Sequence, residues 1–147
     1  MYKFLPAVKE HAVLMEKVLL PDVKRELGLL SDKDTVAMIE RSIATASDAW
    51  TVFYEGSILC MFGVTPKSLL SNTASIWLLT SQDIRKHLKE FFLCGPLALA
   101  YWFRTYDVLE NYIPAGIPKL LRFAEKFGFT VTGPVHNRYR VEKRVAG

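Results

Sequence analysis

The sequence predicts an α/β domain built on a mixed β-sheet with helices on both faces. Three observations predict it. After a short opening strand, apolar residues keep helical spacing from Val8 to Ile43, a strand period takes over at Trp50, and the two periods then alternate to the end of the chain. A length of 147 residues suits one domain with one core, here taken as residues 1–147. Half the residues are hydrophobic and 23% are charged, a globular balance with neither repeats nor low-complexity linkers.

Tyr2 to Leu5 is a short apolar opening strand. Val8, Ala12, Met15 and Leu19 then fall on one helical face until Pro21, which breaks that helix and starts another. Gly28 is its expected stop, and Ser31 caps a further helix with the stripe Val36, Ile39 and Ile43. Trp50 to Tyr54 alternates as a strand, Glu55-Gly56 turns, and Ile58 to Val64 returns, giving a hairpin. Ser75 to Thr80 is a short, central, apolar strand.

Asp83 to Phe92 is an amphipathic helix, with Gly95-Pro96 expected to kink or interrupt it before helix resumes over Leu97 to Tyr106. Val108 to Ile113 is a strand. A helix opens at Ile117-Pro118, turns Leu120, Leu121, Ala124 and Phe127 inward, and stops at Gly128. Phe129 to Thr132 and Tyr139 to Val145 close the chain around a turn at Gly133-Pro134.

Composition excludes several classes. Two cysteines are too few for a disulfide framework, and no CxxC offers a zinc site. Cys60 reads as a buried small hydrophobe, and a reducing cytosol suits both thiols. The longest apolar run, Phe91 to Phe103, is too short to span a bilayer, and Lys9, Glu10, Glu16 and Lys17 break any signal peptide. From Lys119 onward seven basic residues face two acids, so the net +4 is concentrated in the last fifth. That tail attracts polyanions or serves as a strand edge guarded against aggregation.

The segment Leu120-Leu121-Arg122-Phe123-Ala124-Glu125-Lys126-Phe127-Gly128-Phe129 resembles the last helix and Gly-Phe signature of the GNAT (Gcn5-related N-acetyltransferase) superfamily. The hairpin Trp50 to Val64 resembles the family's second and third strands. Trp77-Leu78-Leu79-Thr80-Ser81-Gln82-Asp83-Ile84, with the basic helix after it, resembles small GNAT-like internal virion proteins of short-tailed phages. The resemblance implies a mostly antiparallel mixed sheet of six to seven strands, and acetyl-CoA held where two parallel strands splay apart. It places candidate cofactor contacts at Leu78, Leu79, Thr80, Arg85, Lys86 and His87.

Departures from the pattern bear on activity. The family's loop supplies glycines so that backbone N–H groups can approach a pyrophosphate at a helix N-terminus. Ser81 to His87 contains no glycine, and Asp83 adds negative charge. Arg85, Lys86 and His87 either offer side-chain charge instead or form a solvated helix face. The family's acidic Tyr on the last helix corresponds to Ala124, and its Asn to Ile117. Tyr112 is the candidate replacement acid, or a core or rim aromatic. Glu110 is the candidate base, with Asp107 and Glu55 as alternatives; the ordinary role of each is a surface carboxylate. The histidines His11, His87 and His136 form no triad or metal spacing.

Three functions follow. The first is a degenerate GNAT domain acting as a phage virion or assembly component with phage structural proteins as partners, in the host cytoplasm or inside the particle. The second is an active acyl-CoA-dependent N-acetyltransferase on an amine acceptor. The third, ranked last, is a basic nucleic-acid-binding module.

Overall fold

A computed structural model describes residues 1–146, the side chain of Glu26 excepted. The elements in chain order are β1 (Tyr2–Pro6), α1 (His11–Val18), α2 (Pro21–Glu26), α3 (Asp32–Thr45), β2 (Asp48–Tyr54), β3 (Ser57–Pro66) and β4 (Thr73–Thr80). A 3₁₀ helix (Gln82–His87) follows, then α4 (Leu88–Trp102), β5 (Val108–Pro114), α5 (Pro118–Lys126), β6 (Thr130–Val135) and β7 (Arg138–Arg144). The seven strands run in the order β1-β2-β3-β4-β5-β7-β6. Pairing is antiparallel for β1–β2, β2–β3, β5–β7 and β6–β7, and parallel for β4–β5. The mixed, mostly antiparallel sheet expected from the sequence is therefore present.

The chain forms two compact units, one of residues 1–65 and 77–88, the other of residues 66–76 and Lys89 onward. In the first, α1 and α3 bury one apolar face each. Ala12, Met15 and Ile39 are fully buried with Met61, and Leu19, Ile58 and Leu79 complete the cluster. Each Leu, Ile or Met side chain among them stabilises by about 1.5–3 kcal/mol relative to exposure. α1 is shorter than its apolar periodicity suggests. Leu20 precedes Pro21 and is held extended at ψ 129°, because the pyrrolidine ring disfavours a helical predecessor. Leu19 forms an isolated bridge to Ser81 instead. Ser31 caps α3 as expected, its hydroxyl accepting from the Asp34 N–H.

The β2–β3 turn is made by Glu55 and Gly56 at φ 49° and 82°, the pair of left-handed residues that a two-residue hairpin turn requires. Gly63 is obligatory for another reason: a Cβ there would lie 2.5 Å from Trp77 Cζ2. Cys60 is buried as expected, and burial pushes its thiol up to about 12.

In the second unit, α4 does not break at Gly95-Pro96. It runs unbroken from Leu88 to Trp102 with Pro96 inside it. A Cβ on Gly95 would lie 2.9 Å from Phe127 Cζ and closer still to Cε1, so the missing side chain is what lets the Phe127 ring sit against the helix. Phe91, Phe92, Phe123 and Phe127 form one aromatic cluster with ring centroids 5.1–6.0 Å apart. That packing holds the helix through its proline. The predicted helix over Asp83–Phe92 is divided: residues 82–87 are 3₁₀ and the α-helix begins at Leu88.

Two other expectations are corrected. Leu120 is exposed rather than inward, and α5 has no fully buried residue. The β6–β7 turn is at His136-Asn137, with His136 left-handed at φ 58°. Gly133 sits within β6 at a register shift, so Gly133-Pro134 marks a bulge in a strand and not its end.

Candidate functional site

Two groups of residues carry the chemistry that the sequence singles out, one in each unit. The first follows β4. Leu79 is buried in the apolar cluster, whereas Leu78 and Thr80 are half-buried. Beyond Thr80 the chain is tied down by Ser81. Its N–H donates to the Leu59 carbonyl at 2.9 Å and its carbonyl accepts from the Ile84 N–H at 3.2 Å. Its hydroxyl accepts from the Asp83 N–H at 3.3 Å. Ile84 is buried and anchors the 3₁₀ turn. The backbone donors of Ser81, Asp83 and Ile84 are thus committed within the protein.

The three side chains proposed to replace the glycine cradle separate. Arg85 and Lys86 are exposed. Lys86 Nζ lies 3.7 Å from the Asp83 carboxylate, whereas Arg85 makes no ion pair or hydrogen bond among the described residues. His87 turns the other way. Its Nδ1 is 2.6 Å from the Tyr2 hydroxyl, and its ring meets Tyr54 edge-on at 4.5 Å and Tyr2 at 5.5 Å. His87 is the centre of an aromatic clasp between β1 and β2, so it does not join Arg85 and Lys86.

The second group lies on β5. Glu110 is fully buried, which corrects its reading as a surface carboxylate. Its Oε2 accepts from Arg140 Nε at 2.7 Å and lies 2.6 Å from Arg140 Nη2. Its Oε1 is ion-paired with Lys67 Nζ at 2.8 Å, without the alignment of a good hydrogen bond. A buried carboxylate is stable only when compensated in this way. Contact with Glu110 in turn raises the Lys67 ammonium above its ordinary pKa. For Arg140 burial works against the charge, and the Glu110 and Glu142 carboxylates outweigh it. Arg140 also reaches Glu142 at 3.4 Å and donates to the Thr132 hydroxyl at 2.8 Å.

Both oxygens of Glu110 are therefore ion-paired inside the protein. Tyr112 is half-buried two residues along the same strand. Ala124 and Ile117 are half-buried where a phenol and an amide are expected, and neither has a proton to give. Sequence reasoning missed Lys67 and Arg140. The available signal was a single acid inside the apolar run Val108 to Ile113, which needs cations from elsewhere in the chain.

The parallel pairing of β4 and β5 covers only Thr73↔Val108, Ala74↔Leu109 and Ser75↔Glu110, while β5 stays paired with β7 along its whole length. The chain as a whole matches solved structures. The fold is that of the GNAT acetyltransferases. A GNAT-family acetyltransferase from Staphylococcus aureus superposes at TM-score 0.73 with 11% identity, covering 99% of this chain and 100% of that one. The aminoglycoside acetyltransferase AAC(6')-Ib in complex with coenzyme A gives 0.74 at 10% identity, over 99% and 95% of the two chains. A spermidine N-acetyltransferase chimera from Vibrio cholerae and hSSAT gives 0.72 at 12%, over 97% and 95%. No family model and no curated protein matches the sequence. Among the described residues no helix is long and apolar enough to cross a membrane, and no cluster of His, Cys, Asp or Glu is suited to a metal.

Proposed function

We propose that this chain is a degenerate GNAT-fold protein that works through its surface as a component of a larger assembly. The observation that carries the reading is the segment after β4. A pyrophosphate cradle needs free backbone donors, and those of Ser81, Asp83 and Ile84 are consumed by Leu59 and Ser81. Asp83 adds a carboxylate there, His87 is held in its clasp by Tyr2 and Tyr54, and Glu110 is sealed by Lys67 and Arg140. A fold can keep its framework after its site is gone. The resemblance to internal virion proteins of short-tailed phages supplies the kind of assembly: a virion, or the complex that builds it. Calorimetric titration with acetyl-CoA tests the reading. No saturable heat at millimolar ligand is expected, and saturable binding contradicts it.

A second reading, an acyl-CoA-dependent N-acetyltransferase, is favoured by the likeness to AAC(6')-Ib with its bound coenzyme A. Under it Arg85 and Lys86 hold the phosphates by side-chain charge, and catalysis rests on positioning the amine against the thioester. Coenzyme A binding lost in Arg85→Ala and Lys86→Ala variants identifies this reading.

A further inference from the structure

The second unit carries an apolar surface that its own packing does not use. On α4, Leu93, Leu97 and Tyr101 are 64%, 71% and 58% exposed. They recur at four-residue intervals and share one helix face. At about 100° per residue, Cys94 and Ala100 flank Leu97 at about 60° on either side. Both are exposed and small, which leaves room for a close backbone approach. The same face ends in opposite charges. Glu90 lies one turn before Leu93, and Arg104 lies just past Tyr101 with its guanidinium carbon 5.7 Å from that ring's centroid. Glu90 and Arg104 are exposed and make no ion pair among the described residues.

The order of these residues is palindromic about Leu97. Counting outward, Leu93 is matched by Tyr101, Cys94 by Ala100 and Glu90 by Arg104. A two-fold axis through Leu97 brings each residue against its counterpart on an antiparallel copy: apolar on apolar, small on small, acid on base. We propose that the α4 face is the interface of an antiparallel homodimer of this chain, with Leu97 on the axis and two Glu90–Arg104 ion pairs closing its ends. Left-handed packing of the two helices at about 20° accommodates a stripe of this spacing. One helix face is a small contact beside the roughly 800 Å² per partner of a standard interface, so the dimer is concentration-dependent. This inference is independent of whether acetyl-CoA binds.

Sedimentation equilibrium of the intact protein from low micromolar to near-millimolar concentration reads it directly. The expected result is a mass rising from one chain to two. Leu97→Lys sets two like charges on the axis and should leave a monomer throughout, with an unchanged circular dichroism spectrum because the side chain is exposed. Glu90→Arg alone and Arg104→Glu alone should each weaken association on the order of tenfold, since each makes both end pairs repulsive. The double variant should recover it. A wild-type monomer at every concentration overturns the proposal. So does a dimer that Leu97→Lys leaves intact, or a double variant no tighter than either single one.

Discussion

The two units of this protein differ in what they seal from solvent besides apolar side chains. In the first, α1 and α3 turn apolar faces inward, and six of the described residues from α1, α3, β2 and β3 (Ala12, Met15, Ile39, Thr51, Met61 and Val64) are sealed from solvent. In the second, Ala74, Leu109 and Val141 are sealed as well, but α5 has no fully buried residue, the aromatic cluster is half-buried, and beside Leu109 on β5 a sealed carboxylate, Glu110, lies between two cations. The difference teaches where this fold tolerates change. The first unit exposes Val13 and Leu14 side by side on α1, whereas the second keeps a stripe exposed at four-residue intervals on α4 and a basic β7. Its interior holds, beside apolar side chains, one carboxylate whose charge pairing must be complete to be stable.

Substitutions can break this comparison or sharpen it. Ile39→Ala should cost about 4 kcal/mol in urea unfolding, because a sealed side chain leaves a cavity that α1 and α3 close only partly. A cost below 1 kcal/mol would mean the first core is loose. Arg140→Met should cost about 3 kcal/mol by stranding Glu110 with Lys67 alone. The two costs should differ in kind. Adding Glu110→Leu to Arg140→Met should recover most of the loss, since replacing both partners removes the uncompensated charge. Absence of recovery would show that Glu110 contributes through packing.

Gly95→Ala is the next smaller effect. A glycine in an exposed helix interior normally gains about 1 kcal/mol on this change. Here the added carbon meets the Phe127 ring, so a net loss of about 1–2 kcal/mol is expected in thermal unfolding. A stabilised variant would contradict the role given to the aromatic cluster in carrying α4 through Pro96.

The smallest effect concerns His11. Its Nδ1 accepts the Val8 N–H at 3.3 Å and lies 2.8 Å from the Thr51 hydroxyl, and burial lowers its pKa from the ordinary 6.5 despite the nearby Glu10 carboxylate. The unfolded chain therefore binds the proton more readily than the folded one. The stability this group contributes is complete above about pH 6.5 and is lost as pH falls toward the folded-state value. His11→Gln should flatten that part of the stability–pH curve, and an unchanged slope would assign it to another group.

Much of the fold was legible because its signals are local. Glu55-Gly56 between two alternating runs, Ser31 before an apolar stripe and Pro21 after another each declare an element boundary by themselves. What was misread depends on distant partners. Gly95-Pro96 reads as a break until Phe127 fills the space that glycine leaves. Gly133-Pro134 reads as a turn, yet β6 pairs with β7 on both sides of it. The candidate site was legible in what it lacks, namely glycines after β4 and a tyrosine at Ala124. It was not legible in what replaced them. His87 meets Tyr2 across 85 positions, and Glu110 meets Arg140 across 30.

The central claim is that the Ser81, Asp83 and Ile84 backbone donors after β4 are committed within the protein. Amide chemical shifts of residues 81–87, followed during titration with acetyl-CoA, test it most directly. The account predicts that the Ser81, Asp83 and Ile84 amides stay in place up to millimolar ligand. Saturable shifts confined to those amides would contradict it, because they would mean that the donors leave Ser81 and Leu59 for a phosphate.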